Sequence, residues 1–312
     1  MKILFTGGSS FTGYWFIKEL VQQGHEVIAC FTQKSVDDYS GIRKERIKKL
    51  IPLFTPVFNC KFGDDRFLEL FKNKIDVLCH HAADVTNYRS NDFDFVGALR
   101  NNTNNAATVL SSLVENHCNT IIITGSVFEN NEGKGSSPLH AFSPYGLSKS
   151  FTYQTFQYFT NLYKLKLGKF VIPNPFGPFE EPRFTNYLIK NWFEHKVPAV
   201  NTPRYVRDNI HVSLLAKVYT DFISIFMADE NPNMKINPSG YTESQGEFTK
   251  RFSNEMKKRL SLPCEFELKE QTDFSEPMKR INTNPVMNME IWNEQQAWDE
   301  LAEYYLSLFG GK

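Results

Sequence analysis

The first half of the chain alternates short apolar runs with segments whose apolar residues recur at helical spacing. Ile3-Leu4-Phe5 predicts a buried strand, ended by Gly7-Gly8-Ser9-Ser10. From about Thr12 to Gln23 a helix is predicted, with Phe16, Leu20 and Val21 on one face and Gly24 just past its end. Val27 to Phe31 reads as the next strand, and the charge-rich residues 34–50 as a solvated loop with a helix. Further strands are expected over 75–79, 120–124 and 170–172, and helices over 91–117 and 144–163. Strands alternating with helices predict a Rossmann-type α/β fold, a doubly wound parallel sheet covered on both faces.

The texture changes after Pro173. Prolines recur at 173, 175, 178 and 182, followed by mixed short segments. The expected division is a first domain over 1–174 and a smaller α/β domain over 175–312, with the chain partly crossing back. Lys+Arg and Asp+Glu number 35 each, so no net field draws nucleic acid or an anionic membrane. The 28 phenylalanines suit a well-filled core. The five cysteines are odd in number and widely spaced, and the seven histidines show no ligand spacing with them, so no metal site is expected. No stretch approaches the roughly 20 apolar residues of a membrane span, and no targeting segment is visible; a cytoplasmic location is the expectation.

Two segments carry chemistry. Thr6-Gly7-Gly8-Ser9-Ser10-Phe11-Thr12-Gly13 lies between strand and helix, where glycines let a backbone approach a pyrophosphate resting on the helix N-terminus. Tyr145-Gly146-Leu147-Ser148-Lys149 places a phenol and an ammonium four residues apart on one helix face, after Pro144 at the helix start. A phenol with pKa near 10 is a poor acid or base at neutral pH, and a neighbouring cation favours its ionised form. Tyr–Lys at this spacing is also a common surface pair. Upstream, Ile121-Ile122-Ile123-Thr124-Gly125-Ser126 is an apolar strand ending in hydroxyls, at the strand end where open α/β sheets bind ligands.

With these segments the sequence resembles the extended short-chain dehydrogenase/reductase family, in its nucleotide-sugar branch that includes UDP-galactose 4-epimerase. The likeness takes in the glycine loop, His81-Ala82-Ala83, Asn102, Thr124 and Tyr145-x-x-x-Lys149. It continues through Pro173-Asn174-Pro175-Phe176-Gly177-Pro178 and Val206-Arg207-Asp208-Asn209-Ile210-His211-Val212. The resemblance implies that 1–174 is an NAD(P)-binding Rossmann domain and 175–312 a substrate-binding domain, with a catalytic set of Thr124, Tyr145 and Lys149, Lys149 also on the nicotinamide ribose. Gly7, Gly8, Ser9, Ser10, Phe11, Thr12 and Gly13 would surround the pyrophosphate, and Asp64 would meet the adenine amine. Phe31, Thr32, Lys34, His81, Ala82, Ala83, Asn102 and Pro173 complete the implied cofactor site. Thr124, Ser126, Asn174 and Arg207 would meet the substrate, Arg207 as a diphosphate clamp. A local ion pair of Arg207 with Asp208 or Glu181 is the alternative.

Two departures narrow the reaction. The second strand ends in Phe31 where NAD users of the family place an acidic residue, and Lys34 or Arg43 could pair with a 2′-phosphate, which favours NADP over NAD. Either cation could equally be solvated. Gly125 and Ser126 follow Thr124 where sugar dehydratases place acidic residues, which disfavours dehydration. The expected activity is NAD(P)-dependent oxidoreduction of a nucleotide-activated sugar at C4, by reduction of a 4-keto sugar. A 4-epimerase with retained NAD, a reductase of non-nucleotide carbonyls and a catalytically silent cofactor-binding protein are the alternatives. A homodimer through two long helices is also implied.

Overall fold

A computed structural model describes residues 1–310 apart from 89, 288, 289 and 291. The chain runs β1 (Lys2–Thr6), α1 (Phe11–Gln22), β2 (Glu26–Cys30), α2 (Gly41–Leu50), β3 (Thr55–Val57), α3 (Asp65–Glu69) and β4 (Val77–His80). It continues through α4 (Phe95–Asn102), α5 (Ala106–Glu115), β5 (Thr120–Ser126), the two-residue β6 (Lys134–Gly135), α6 (Pro144–Tyr163), β7 (Lys166–Ile172) and β8 (Asn174–Phe176). Then follow α7 (Phe184–Phe193), β9 (Ala199–Val200), β10 (Val206–His211), α8 (Val212–Ala228), β11 (Asn233–Ile236), β12 (Pro238–Ser239), β13 (Tyr241–Ser244) and α9 (Gln245–Leu260). A last helix, α10, spans Glu294–Phe309.

Two compact units form. The first comprises 1–132, 139–172 and 216–237; the second comprises 133–138, 173–215 and 238–312. In the first, seven parallel strands lie in the order β11-β7-β5-β4-β1-β2-β3. Helices on both faces explain why β4 and β5 are buried along their whole lengths rather than alternating. Ile121 and Ile123 of β5 pack with Leu110 and Leu113 of α5 and Phe156 of α6. In a separate cluster, Phe5 and Phe170 meet Phe16 of α1 and Tyr219 of α8, the last two stacked at 4.0 Å. The Rossmann-type sheet expected from the alternation is therefore the fold.

The 144–163 helix forms as expected, capped by Ser143, whose Oγ accepts the Gly146 N–H at 3.1 Å. The single helix expected over 91–117 is instead two. Asn105 takes a left-handed φ of 50° between α4 and α5. The break lets Asn104 and Asn105 donate their side-chain amides to the carbonyls of Phe62 and Gly63, satisfying a turn that a continuous helix would leave open.

In the second unit, β10 pairs parallel with β8 and antiparallel with β13. Its core is rich in aromatic rings: Phe176, Trp192, Tyr241, Phe248, Phe252, Trp298 and Tyr305 gather from β8, β13, α7, α9 and α10. No helix among the described residues is long and apolar enough to cross a membrane.

Candidate active site

The candidate chemistry of the first unit collects at the C-terminal ends of β1, β4 and β5. Gly7, with φ +86°, turns the chain so tightly that a Cβ there would meet the Ala82 backbone at 2.8 Å. A Cβ on Gly13 would strike the Gly7 carbonyl at 2.2 Å. The loop thus keeps its shape only with glycine at both places. Ser10 caps α1: its Oγ accepts the Gly13 N–H at 3.1 Å and donates to the Gly7 carbonyl at 2.8 Å. Fully buried Arg46 of α2 braces the loop from below, donating to the Ser9 carbonyl at 3.1 Å with its guanidinium over Phe11.

His80 and His81 are both buried and belong to one hydrogen-bonded layer. His80 Nε2 faces the Asn102 carbonyl at 2.9 Å, which requires its proton on Nε2; Nδ1 then accepts from Thr6 at 3.0 Å. Thr6 in turn accepts the Ala82 N–H. His81 Nδ1 lies 2.9 Å from Thr124 Oγ1, and its Nε2 lies 3.1 Å from Ser10 Oγ and 3.0 Å from Thr12 Oγ1. Burial first, then the Lys149 charge, pushes both imidazoles down to about 3, so each is neutral near pH 7. Asn102 is held by the Asp84 N–H and by Thr152.

Lys149 is 4 % exposed on α6, and among the described residues its ammonium has no hydrogen-bond partner. Burial lowers it to about 8, against the pull of the Glu129 carboxylate; Lys169 adds to the lowering. An ammonium so desolvated calls for an acceptor. Tyr145, one turn earlier, lies against the rings of Tyr88 and Phe93 at 5.4 and 6.0 Å. Gly146 beside it allows α6 to start against Phe128, whose carbonyl a Cβ would meet at 2.2 Å.

The sequence reading missed a buried ion triad behind Lys149. Lys169 Nζ lies 2.6 Å from Glu129 and 2.7 Å from Glu132, all three under 5 % exposed. Glu129 also accepts the Ser126 N–H at 2.7 Å, and Glu132 accepts from Asn237 at 2.9 Å. The two carboxylates outweigh burial and raise Lys169. The available signal was a lysine at an inward position of an apolar strand. Glu129 is thus committed to an ion pair.

At the end of β2, Phe31 is 1 % exposed and ringed by Tyr39, Phe54 and Phe58. Its ring lies 3.3 Å from where a Gly8 Cβ would be, so apolar surface fills the place of a carboxylate. Thr32 and Lys34 are exposed; Thr32 Oγ1 contacts the Tyr39 hydroxyl at 3.5 Å. Asp64 caps α3, its oxygens accepting the N–H groups of Phe67 and Lys61 at 2.8 Å each.

The second unit holds Pro173, Asn174 and Arg207. Asn174 donates to the Asp208 carbonyl at 3.2 Å. Arg207 is buried over the Tyr205 ring, with its guanidinium on the Val206 and Pro277 carbonyls and on Glu276 at 2.7 Å. Its carboxylate partner is therefore Glu276, rather than Asp208 or Glu181. Asp208 faces the other way and accepts the N–H groups of Gly240 and Asn282.

The glycine loop, an apolar strand end and a buried lysine lacking an acceptor fit a dinucleotide bound across β1, β4 and β5. Among the described residues no group of His, Cys, Asp or Glu is placed to hold a metal. Residues 3–232 match the model of the NAD dependent epimerase/dehydratase family. No curated protein matches the chain. Among solved structures, UDP-glucuronic acid 4-epimerase from Bacillus cereus is 17% identical with a TM-score of 0.75, covering 99% of this chain and 100% of its own. UDP-glucose 4-epimerase from Thermotoga maritima is 17% identical with a TM-score of 0.71 over 99% of each chain. A dTDP-glucose 4,6-dehydratase from Streptomyces venezuelae is 15% identical with a TM-score of 0.74, over 100% of this chain and 98% of its own. At these identities the likeness is one of fold.

Proposed function

Because this chain belongs to the NAD dependent epimerase/dehydratase family, we propose that it is an oxidoreductase of a nucleotide-activated sugar, reducing a keto group at C4. The observation that carries the reading is Lys149, a buried ammonium that lacks an acceptor one helical turn from Tyr145. A phenolate at Tyr145 and a ribose hydroxyl would supply acceptors. A dinucleotide bound in its reduced form would supply the hydride and leave oxidised. Tyr145 gives the proton to the substrate oxygen, Lys149 steadies the phenolate left behind, and the rings of Tyr88 and Phe93 limit water beside it.

The aromatic cage around Phe31 favours NADP, since it offers a free 2′-hydroxyl no acceptor. Dehydration is disfavoured, because Gly125 and Ser126 carry no acid and Glu129 is spent on Lys169. The 4-epimerase with retained NAD is the second reading. Its support is the set of 4-epimerases with this fold, one of them in complex with UDP-glucuronic acid and NAD. Arg207 is proposed as the diphosphate contact, with Glu276 as the partner to be exchanged. Arg207→Ala should then raise KM for a nucleotide sugar by more than tenfold and leave dinucleotide affinity unchanged. An unchanged KM returns Arg207 to a local pair. A homodimer is proposed through α6, where Phe151, Tyr158 and Leu162 are exposed. Mass spectrometry of small molecules that co-purify, followed by turnover of the sugar identified, tests the main reading. If the protein neither reduces nor epimerises any nucleotide sugar, the reading is overturned; epimerisation without net reduction gives the case to the second reading.

A further inference from the structure

The hydroxyls of Thr124 and Ser126 share one face of β5, two residues apart. Their protons are not equivalent, and the difference is set by hydrogen-bond bookkeeping around His81. Ser10 Oγ lies 2.8 Å from the Gly7 carbonyl, which can only accept, so the Ser10 proton is there. Its oxygen, already accepting from Gly13, faces His81 Nε2 at 3.1 Å. Two lone pairs would repel at that distance, so Nε2 carries the proton and shares it between Ser10 and Thr12. A neutral imidazole has one N–H. Nδ1 is then an acceptor, and the Thr124 hydroxyl at 2.9 Å must donate to it. Phe5 and Phe16 pack on the imidazole at 5.6 and 5.2 Å. Ser126 Oγ accepts the Phe128 N–H at 3.2 Å, and its own proton has no acceptor among the described residues.

We propose that His81 is a positioning residue that holds the Thr124 proton, leaving Ser126 as the strand-end hydroxyl that donates to the substrate oxygen. The glycine loop takes part through Ser10, so the shape that receives a dinucleotide also fixes which hydroxyl is the donor. Thr124 presents its lone pairs, which suit a hydroxyl and oppose a carbonyl oxygen. The inference rests on the Tyr145 chemistry proposed above for its catalytic meaning, while the tautomer of His81 stands independently of it.

The test has two arms. In the first, 15N-histidine-labelled wild-type protein is examined by NMR without added ligand, with His81→Phe identifying the signals. The expected result is a protonated Nε2 and an unprotonated Nδ1 at pH 7. A protonated Nδ1, or an imidazolium, overturns the proposal even if the enzyme is active. In the second, turnover is compared across variants on the best sugar found for the wild type. Ser126→Ala should lower kcat about tenfold, the scale of one lost hydrogen bond. Thr124→Val should lower it less. His81→Phe keeps the ring packing but frees the Thr124 proton, so adding it to Ser126→Ala should restore several-fold of the lost kcat. A purely structural His81 would make that double variant worse than either single one, and that result also overturns the proposal. If the wild type turns over no sugar, the functional reading falls and the NMR arm alone decides His81.

Discussion

Tyr145→Phe removes one oxygen and keeps the ring contacts with Tyr88 and Phe93. The variant should fold and bind dinucleotide as before, with turnover lower by roughly two to four orders of magnitude. Steady-state kinetics beside a dinucleotide titration separates the two effects; near-normal turnover would remove Tyr145 from the chemistry. Lys169 is the residue-scale test of the buried triad. Lys169→Met fills similar volume but strips buried Glu129 of its ion pair, while Glu132 keeps Lys235 at 3.2 Å. Breaking a buried pair on one side costs about 3–5 kcal/mol, so chemical denaturation should show a loss of that size. Replacing Glu129, Lys169 and Glu132 together by apolar residues should cost much less. Tyr145 and Lys149 stood out in the sequence because their spacing puts both on one face of a helix. The Lys169 triad did not, because its lysine, on β7, lies about forty residues along the chain from its two glutamates, which share the loop after β5.

At the scale of elements, Glu180 ties the segment after β8 to two helices. It accepts from Thr185 of α7 and, at 3.1 Å, from Tyr305 of α10. Burial pushes its carboxyl up to about 7, against hydrogen bonds and the Arg183 charge that pull it down. The folded protein therefore holds this proton between about pH 4.5 and 7, where the unfolded chain has released it. Its stabilising contribution is complete below that window and is lost as pH rises through it, by about 3 kcal/mol. Thermal melts from pH 5 to 8 should show this fall, and Glu180→Gln should flatten it. A Gln variant with the wild-type slope would place the titrating group elsewhere. The elements were legible wherever a local pattern defines them: 144–163 with its Ser143 cap is the clear case. The break at Asn105 was only weakly marked, by the helix-poor run Asn101-Asn102-Thr103-Asn104-Asn105; the turn it serves lies some forty residues earlier in the chain.

For the molecule as a whole, the choice of dinucleotide decides what kind of catalyst it is. A reductase must exchange its cofactor each turnover, and an epimerase must keep it. With Phe31 caged and Lys34 exposed, NADP should bind about tenfold more tightly than NAD, near 1.4 kcal/mol. Titrating both into stripped protein measures this; tighter NAD, or NAD that survives dialysis, would favour the epimerase. The parallel sheet was evident from the alternation of strands and helices in the first 172 residues, apart from the three-residue β3. The strand at 233–236 was not, since four residues of mixed polarity carry little signal and its partner lies far upstream.

That late strand, β11, lies along the outer side of β7 and completes the seven-stranded sheet. On the ribosome, β7 emerges about 60 residues before its cover does, an interval of roughly 3–12 s at ordinary synthesis rates. During it the nascent chain presents a row of unpaired amides and carbonyls along a buried-type strand, the very template on which unrelated strands add. Expression of this protein is therefore exposed to aggregation at one definable moment of its synthesis. Fragments ending near residue 172 would carry that exposed edge permanently.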